Sequence, residues 1–312
     1  MIPSGGMGYF VCDGFGRHGP EELFMTLKTR RLSNALGVEI CDIDLSRPMS
    51  ESTFGEIHRL FLDHGILLLR GQNVSREQHI EFSRRFGELD DHASLPRDRH
   101  PDHPELLLVT NRPNADGSPS ESRYTGRQWH TDLSYTTVPA LGSLLKCYNL
   151  PEVGGDTLFA NMTMAYEALS GGMKKLIADL HGIHLSGTRK INVADAGTAR
   201  RDEVMKLNPP IAQPVVRVHP ETGRKALYLG EKVKRFDGMT EEESKPLIDY
   251  LNKHSTKPEF VYRHQWREQD ILVWDNRCTL HQALGDFDET QLRHMERTTV
   301  KGTPSGYIVA GG

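Results

Sequence analysis

Two histidines and an aspartate have the residue types and spacing of a metal site. His130 and Asp132 stand two residues apart, so on a β-strand both side chains would point to the same face. A third ligand, His281, follows far downstream, as expected for a site that the fold closes. Two imidazoles and one carboxylate leave coordination positions open, which suits a non-haem Fe(II) centre where substrate, co-substrate and O₂ all reach the metal. Because a His-x-Asp pair is frequent by chance, this prediction depends on the motifs around it.

Polar groups suited to a dicarboxylate accompany this site. Gly154 and Gly155 predict a tight turn, and Thr157 behind them offers a hydroxyl beside the metal. Near the C-terminus, Arg293 and Arg297 stand four residues apart, so on a strand their guanidinium groups share one face. A planar guanidinium binds a carboxylate through two parallel hydrogen bonds. These groups would hold a dicarboxylate such as 2-oxoglutarate, with one end chelating the iron; a solvated strand charge is the alternative interpretation of Arg293.

Several ordered motifs resemble the taurine/2,4-dichlorophenoxyacetate dioxygenase family of Fe(II)- and 2-oxoglutarate-dependent enzymes. The resemblance extends from about residue 27 to residue 300, and its local motifs are residues 86–89, 129–132, 154–157, 218–223 and 274–277. It implies a double-stranded β-helix, or jelly roll, in which His130, Asp132 and His281 bind Fe(II).

The resemblance also implies a co-substrate site and a reaction. Thr157 and Arg297 would hold the distal carboxylate of 2-oxoglutarate, and Arg293 would lie near its C1 carboxylate. The implied reaction couples oxidative decarboxylation of 2-oxoglutarate, which yields succinate and CO₂, to hydrogen abstraction from a substrate and its hydroxylation by O₂. Related halogenases have a small residue in place of Asp132, which leaves room for halide, so halogenation is not expected.

Three alternative functions use similar residues. The same iron centre could give desaturation or ring formation in a biosynthetic pathway, and only product analysis separates these outcomes because hydrogen abstraction is shared. A non-catalytic small-molecule-binding jelly roll is disfavoured because all three ligands and both arginines are retained. A zinc hydrolase would also use two histidines and a carboxylate, but it leaves the paired arginines unexplained.

The substrate is expected to be a small anion. His92 stands where the taurine-acting branch of the family holds the substrate sulfonate, so we predict substrate contact there; a solvated loop position is the alternative. Leu95 and Gly126 replace a tyrosine and an asparagine of that branch, so taurine itself is not expected. A larger or more apolar body behind the anionic group fits better, as in a longer sulfonate, an alkyl sulfate or an aryloxyalkanoate. Regions that could add positive charge contain Arg189, Lys190, Lys232 and Lys234.

Short apolar runs predict the elements that position these residues. The continuous run at 66–69 predicts a buried strand, and patterns typical of capping boxes at Thr53, Ser75 and Thr240 predict helices. Many short strands with a few flanking helices favour a mainly β, jelly-roll-like double sheet in a single domain. The further strand-like runs are residues 141–148, 215–218, 226–229, 260–262, 271–274 and 298–300.

Domain limits and loops follow from local composition. Residues 1–24 are Gly-rich and are predicted to form a flexible N-terminal extension, with residues 25–312 as the dioxygenase domain. The polar stretches 89–128 and 187–210 are predicted to be lid loops, because long loops in compact domains tend to be functional.

Charge and cysteine usage indicate the class of protein. The chain has 38 Lys and Arg against 42 Asp and Glu, a net charge of −4, so no nucleic-acid or anionic membrane partner is expected. No apolar run approaches the ~20 residues that a membrane span needs, and the N-terminus does not look like a secretory signal. Scattered cysteines fit a reduced, cytoplasmic enzyme. Relatives of the implied family favour a homodimer or homotetramer.

Overall fold

The computed structural model describes residues 27–309 except 94, 97, 114–116, 119, 125 and 187–208. The predicted extension 1–24 and nearly all of the predicted loop 187–210 lie outside these residues, as do Arg189 and Lys190. Among the described residues, none of the helices combines the length and the apolar character needed to cross a membrane.

The chain is mostly sheet with few helices, as predicted. The largest sheet has seven strands in the order β1-β2-β3-β13-β5-β15-β4, and smaller sheets have the orders β11-β7-β8-β16, β12-β6-β14 and β10-β9. The strands are β1 (Thr29–Arg31), β2 (Val38–Ile40), β3 (Ile66–Leu69), β4 (Leu107–Thr110), β5 (Ala140–Asn149), β6 (Thr157–Asn161), β7 (His181–His184), β8 (Ile211–Pro214), β9 (Val216–Val218), β10 (Lys225–Leu227), β11 (Val233–Phe236), β12 (Val261–His264), β13 (Ile271–Asp275), β14 (Thr279–Ala283), β15 (His294–Lys301) and β16 (Tyr307–Ile308).

Helices flank these sheets, and side-chain caps determine where they begin. The capping boxes predicted at Ser75 and Thr240 are confirmed at the starts of α2 and α5. The prediction at Thr53 is wrong by three residues: Ser50 is the cap of α1, and its hydroxyl accepts a hydrogen bond from the backbone N–H of Thr53. The helices are α1 (Glu51–His64), α2 (Arg76–Arg84), α3 (Met162–Glu167), α4 (Gly171–Ile177) and α5 (Glu241–Ser255), with 3₁₀ turns at Glu121–Tyr124 and Pro258–Phe260.

Strands β3 and β13 lie in the middle of the large sheet and are buried on both faces, which explains their continuous apolar sequences. On one face, Leu67 and Val273 belong to the core that α1 and α2 cover. On the other face, Leu68 and Trp274 pack with Phe159 of the β12-β6-β14 sheet. The predicted lid 89–128 contains β4, which pairs with β15 at the edge of the large sheet.

A buried ion-pair network fixes the turn between β13 and β14. The Asp275 carboxylate accepts hydrogen bonds from Arg277, at 2.8 Å from Nε and 2.7 Å from Nη2, and from His219 Nε2 at 2.9 Å. Burial alone would raise the pKa of Asp275, but Arg277 and His219 hold it below its usual range. Because Arg277 also contacts Glu221, the network joins this turn to the segment between β9 and β10.

Removing one partner of this network should destabilise the whole fold. We expect Asp275→Asn to lower the free energy of unfolding by about 3 kcal/mol, because it leaves Arg277 buried beside fewer negative charges. Asp249→Asn is the control, since its pair with Lys245 is exposed and should contribute less than about 1 kcal/mol. Urea denaturation of both variants measures this difference, and equal small losses would contradict the assignment.

Candidate metal centre and active site

Backbone hydrogen bonds bring the two candidate histidine ligands together. The N–H of His130 donates to the carbonyl oxygen of His281 at 3.0 Å, and the N–H of His281 donates to the carbonyl oxygen of His130 at 2.8 Å. His281 lies in β14, whereas His130 forms only this isolated bridge. The two imidazole rings are 4.1 Å apart between centroids, and the His281 ring packs on Trp274 and Phe159. Distant parts of the chain therefore present two imidazoles at one point.

The Asp132 carboxylate lies beside the two imidazoles, but the local backbone is not the strand that was predicted. The expectation that His130 and Asp132 share one face of a strand is wrong, because the chain turns directly after His130 and Leu133 adopts a φ of 52°. The carboxylate nevertheless lies 3.9 Å from His130 Nε2 and 3.8 Å from His281 Nε2. The ligand atoms of all three buried residues lie within 4.8 Å of one another.

The protonation states of this triad fit a divalent metal ion. His130 Nδ1 donates a hydrogen bond to the carbonyl oxygen of Gln128 at 2.7 Å, so the lone pair of Nε2 faces the site. Burial lowers the pKa of both His130 and His281, which keeps the rings neutral. Burial would raise the pKa of Asp132, but Arg297 and the two histidines hold it below its usual range. Two neutral imidazoles and one carboxylate are suitable metal ligands.

Side chains behind Asp132 hold its carboxylate in place. Ser143 of β5 donates its hydroxyl to Asp132 Oδ2 at 2.7 Å, and Asn276 Nδ2 donates to the Ser143 hydroxyl at 2.9 Å. The Asn276 amide is itself oriented, because its Oδ1 accepts hydrogen bonds from Trp274 Nε1 and Thr131 Oγ1. Sequence reasoning missed Ser143 because a single serine within an apolar strand carries no local signal.

The two predicted arginines are buried but have different neighbours. Arg297 Nη1 donates to Asp132 Oδ1 at 2.5 Å, which places this guanidinium at the metal triad. Arg293 Nε donates to the carbonyl oxygen of Gly155 at 3.1 Å and has no ion pair among the described residues. Burial lowers the pKa of Arg293 to about 10, so this side chain is a cation in need of an anionic partner.

Thr157 lies on the same side of its sheet as His281. Strands β6 and β14 pair Phe159 with His281 and Thr157 with Ala283, so these four side chains share one face. The Thr157 hydroxyl accepts a hydrogen bond from Trp266 Nε1 at 3.0 Å. Two residues earlier, Gly155 has a φ of 74°, and a side chain there would crowd Arg293 at 3.1 Å from Nε. Arg293 therefore lies against Gly155, in the turn that leads into Thr157 at the beginning of β6.

His92, the predicted substrate residue, lies near Arg297 and Asp132. His92 is fully buried, its Nε2 lies 3.3 Å from Thr299 Oγ1, and its φ of 53° is uncommon for a residue with a side chain. Burial and the charge of Arg297 lower the pKa of His92. Gly126 approaches the metal site closely, since a Cβ there would lie 3.3 Å from His130 Cε1. The backbone N–H of Leu95 donates to the His92 carbonyl oxygen at 2.8 Å.

Lys232 and Lys234, which were predicted to add positive charge, both lie beside Glu231. The backbone N–H of Glu231 donates to the carbonyl oxygen of Trp129. Lys232 Nζ is 3.6 Å from a Glu231 carboxylate oxygen, and Lys234 Nζ donates to the Glu231 carbonyl oxygen at 2.8 Å. Both charges of this pair act on His130, where burial lowers the pKa most, Glu231 raises it and Lys232 lowers it.

A second cluster with metal-ligand residue types, His219, Asp275 and Cys278, does not fit a metal ion. His219 Nδ1 accepts hydrogen bonds from two backbone N–H groups, so its proton lies on Nε2 and points at Asp275. Arg277 already neutralises Asp275, and burial raises the pKa of the Cys278 thiol well above its usual range. This cluster belongs to the structural network between β13 and β14.

The chain matches a known protein family over most of its length. Residues 28–299 match the family described as "Taurine catabolism dioxygenase TauD, TfdA family". An alkylsulfatase of Acinetobacter baylyi is 33% identical over 282 residues, which cover 88% of this chain and 85% of that protein. An alpha-ketoglutarate-dependent 2,4-dichlorophenoxyacetate dioxygenase of Cupriavidus pinatubonensis is 32% identical over 277 residues, covering 85% and 93% of the two chains.

A solved structure has the same fold. The crystal structure of AAD-2 in complex with Mn(II) and N-oxalylglycine aligns with a TM-score of 0.78 and 32% sequence identity, covering 89% of this chain and 99% of that one. The resemblance that the ordered motifs indicated is thereby confirmed. The chain belongs to the TauD/TfdA family of dioxygenases.

Proposed function

We propose that this oxidoreductase, a 2-oxoglutarate-dependent dioxygenase, hydroxylates a small anionic organic molecule and releases succinate and CO₂ as co-products. The observation that carries the proposal is the buried triad of His130, Asp132 and His281 beside two buried arginines. We further infer that the opposed sheets form the double-stranded β-helix that the sequence predicts. Desaturation or ring formation at the same centre is the alternative outcome.

The triad residues would hold Fe(II) through His130 Nε2, His281 Nε2 and the Asp132 carboxylate. When bound, the iron would supply the redox chemistry that activates O₂ and decarboxylates the keto acid. The protein's own part is positioning: Gln128 orients the His130 ring, and Ser143 and Arg297 orient the Asp132 carboxylate. Burial of the triad excludes bulk water from the reacting groups.

The contacts favour a different use of the two arginines from the one the family resemblance implied. The sequence interpretation gave the distal carboxylate of 2-oxoglutarate to Thr157 and Arg297, and the C1 end to Arg293. Arg297, however, contacts Asp132, whereas Arg293 donates to the carbonyl oxygen of Gly155, two residues before Thr157. We therefore assign Thr157 and Arg293 to the distal carboxylate and Arg297 to the end of the keto acid at the metal.

The substrate class is proposed from the charge beside the triad and from the relatives. Buried His92 and Arg297 would give the substrate's surroundings a positive charge, and the backbone at Gly126 approaches His130 closely. The relatives are named for sulfate esters, sulfonates and aryloxyalkanoates. We propose that this chain takes a member of these classes. The lid role of the loops, the cytoplasmic location and a homodimeric or homotetrameric assembly stay predictions.

Loss of a triad ligand should abolish turnover without unfolding the protein. We expect His130→Ala and Asp132→Ala to form no succinate from Fe(II) and 2-oxoglutarate, and to bind Mn(II) more weakly in calorimetry, because one metal ligand is missing. The control is His181→Ala, since this partly exposed histidine lies outside the triad. Succinate formation at the control rate in either triad variant would remove the metal assignment.

The roles of Arg293 and Arg297 can be distinguished with a keto acid that lacks the distal carboxylate. We expect Arg293→Gln to weaken 2-oxoglutarate binding to the Mn(II)-loaded protein by about 2–5 kcal/mol, because a buried charged contact is lost. The same variant should bind 2-oxobutyrate, which lacks the distal carboxylate, as the wild type does. Arg297→Gln should weaken both keto acids. The reverse pattern would support the assignment made from the sequence.

The hydroxyl of Ser143 should tune metal affinity. We expect Ser143→Ala to weaken Mn(II) binding roughly 10- to 100-fold, as found when a group that orients a metal ligand is removed. Ser83→Ala is the matched control, because the Ser83 hydroxyl is also buried but bonds to Thr298 and to the His79 carbonyl oxygen. If both variants bind Mn(II) equally well, Ser143 has no positioning role.

A further inference from the structure

A group of buried polar side chains next to the triad lacks hydrogen-bond partners among the described residues. Arg217 of β9 is 4% exposed, Tyr228 after β10 is 2% exposed, and His184 at the end of β7 is fully buried. Arg217 Nη1, the Tyr228 hydroxyl and both ring nitrogens of His184 have no partner there. Buried polar groups are nearly always hydrogen-bonded, so an unsatisfied group requires an explanation such as a bound ligand.

These side chains form one cluster. The Arg217 guanidinium carbon lies 4.9 Å from the centre of the Tyr228 ring, and the His184 and Tyr228 rings are 5.7 Å apart between centroids. Burial raises the pKa of Tyr228 to about 12 and lowers the pKa of His184 to about 3, so at neutral pH both are uncharged and can donate hydrogen bonds. The cluster therefore combines one cation with neutral donors.

The cluster borders the metal triad. The polar neighbours of the Tyr228 hydroxyl are Arg217, Asp132 and Thr131. The chain just after Tyr228 packs against the first histidine ligand: the N–H of Glu231 donates to the carbonyl oxygen of Trp129 at 2.9 Å. At Gly230 a Cβ would lie 3.3 Å from His130 Cα. A molecule held by Tyr228 would thus lie beside Asp132.

The charge of the cluster selects the class of ligand. Arg217 has no ion pair among the described residues and its Nη1 has no partner there, and a buried guanidinium without a counter-charge is costly. A guanidinium and neutral donors match the oxygens of a sulfate, sulfonate or carboxylate. Water alone would satisfy the donors but would leave the charge of Arg217 uncompensated.

We propose that Arg217, Tyr228 and His184 form an oxyanion subsite that binds the anionic head group of the substrate next to the metal triad. This inference rests on the proposed dioxygenase function and adds a second polar site to the one that His92 and Arg297 form. The head group would accept hydrogen bonds from the Tyr228 hydroxyl and from Arg217. The apolar body of the substrate would then extend from this group across the metal.

Binding of two anionic probes to variant proteins tests the subsite. Hexyl sulfate and phenoxyacetate are titrated by calorimetry into the protein loaded with Mn(II) and 2-oxoglutarate. Wild type should bind at least one of them, Tyr228→Phe should bind it roughly tenfold more weakly, and Arg217→Gln roughly a hundredfold more weakly. The matched control is Tyr148→Phe, because the Tyr148 hydroxyl is also buried without a partner among the described residues but lies in β5, beside Lys146.

Thermal unfolding separates ligand binding from a structural role. If Arg217 serves an anion, Arg217→Gln should not lower the Tm of the free protein, because the substitution removes an uncompensated buried charge. A marked fall in Tm would assign Arg217 to the core instead. Binding of both probes by Tyr228→Phe and Arg217→Gln at the wild-type affinity, or by none of the proteins, would overturn the subsite.

The failure of the subsite and that of the proposed function give different results. A preceding titration of the Mn(II)-loaded proteins with 2-oxoglutarate should give the same affinity in wild type, Tyr228→Phe and Tyr148→Phe. If the wild type does not bind 2-oxoglutarate, the dioxygenase proposal fails. If it binds 2-oxoglutarate while the probes do not distinguish the variants, only the subsite is wrong.

Discussion

The reciprocal backbone hydrogen bonds between His130 and His281 are the constraint on which the site depends. They join a segment outside the sheets to β14, which pairs with β6 and so aligns His281 with Phe159 and Thr157. Backbone groups make this link, so it does not depend on the imidazoles that must stay free for the metal. The two proposed metal ligands and Thr157, proposed to bind the co-substrate, are thereby placed before any metal is bound, which reduces the ordering that binding requires.

The interior around this link contains more cationic side chains than carboxylates can neutralise. Asp132 neutralises Arg297, but Arg293 and Arg217 are buried with no ion pair among the described residues. Each uncompensated guanidinium lowers the stability of the fold. Burial of the apolar core between β3, β13 and the flanking helices offsets this cost. Such a cost is expected where a fold is prepared for anionic ligands, because activity commonly requires groups that are unfavourable in the free protein. The positions of these cations therefore indicate where anions bind.

The sequence predicted the identity of the site better than its geometry. The residue types and their order along the chain sufficed for the His130, Asp132 and His281 triad and for a mainly β fold. The period-two argument for Asp132 failed because it applies only to strands, whereas Asp132 lies in a turn that Ser143 and Asn276 anchor. Those contacts, and the separation of Arg293 from Arg297, join segments far apart in the chain. No local pattern records such pairs, so only the folded structure reveals them.

Charge alone cannot tell the co-substrate from the substrate in such a site, because both are anions. 2-Oxoglutarate carries two carboxylates, and the proposed assignment gives one to Arg297 beside Asp132 and the other to Arg293 beside Gly155. A substrate with a single anionic group cannot satisfy both arginines, so it gains most at a place where one cation and neutral donors converge. Arg217 with Tyr228 and His184 would offer that combination in the proposed subsite. Selectivity would then follow from the spacing between cations, with the dicarboxylate ordering first and the substrate binding in the remaining space beside the metal.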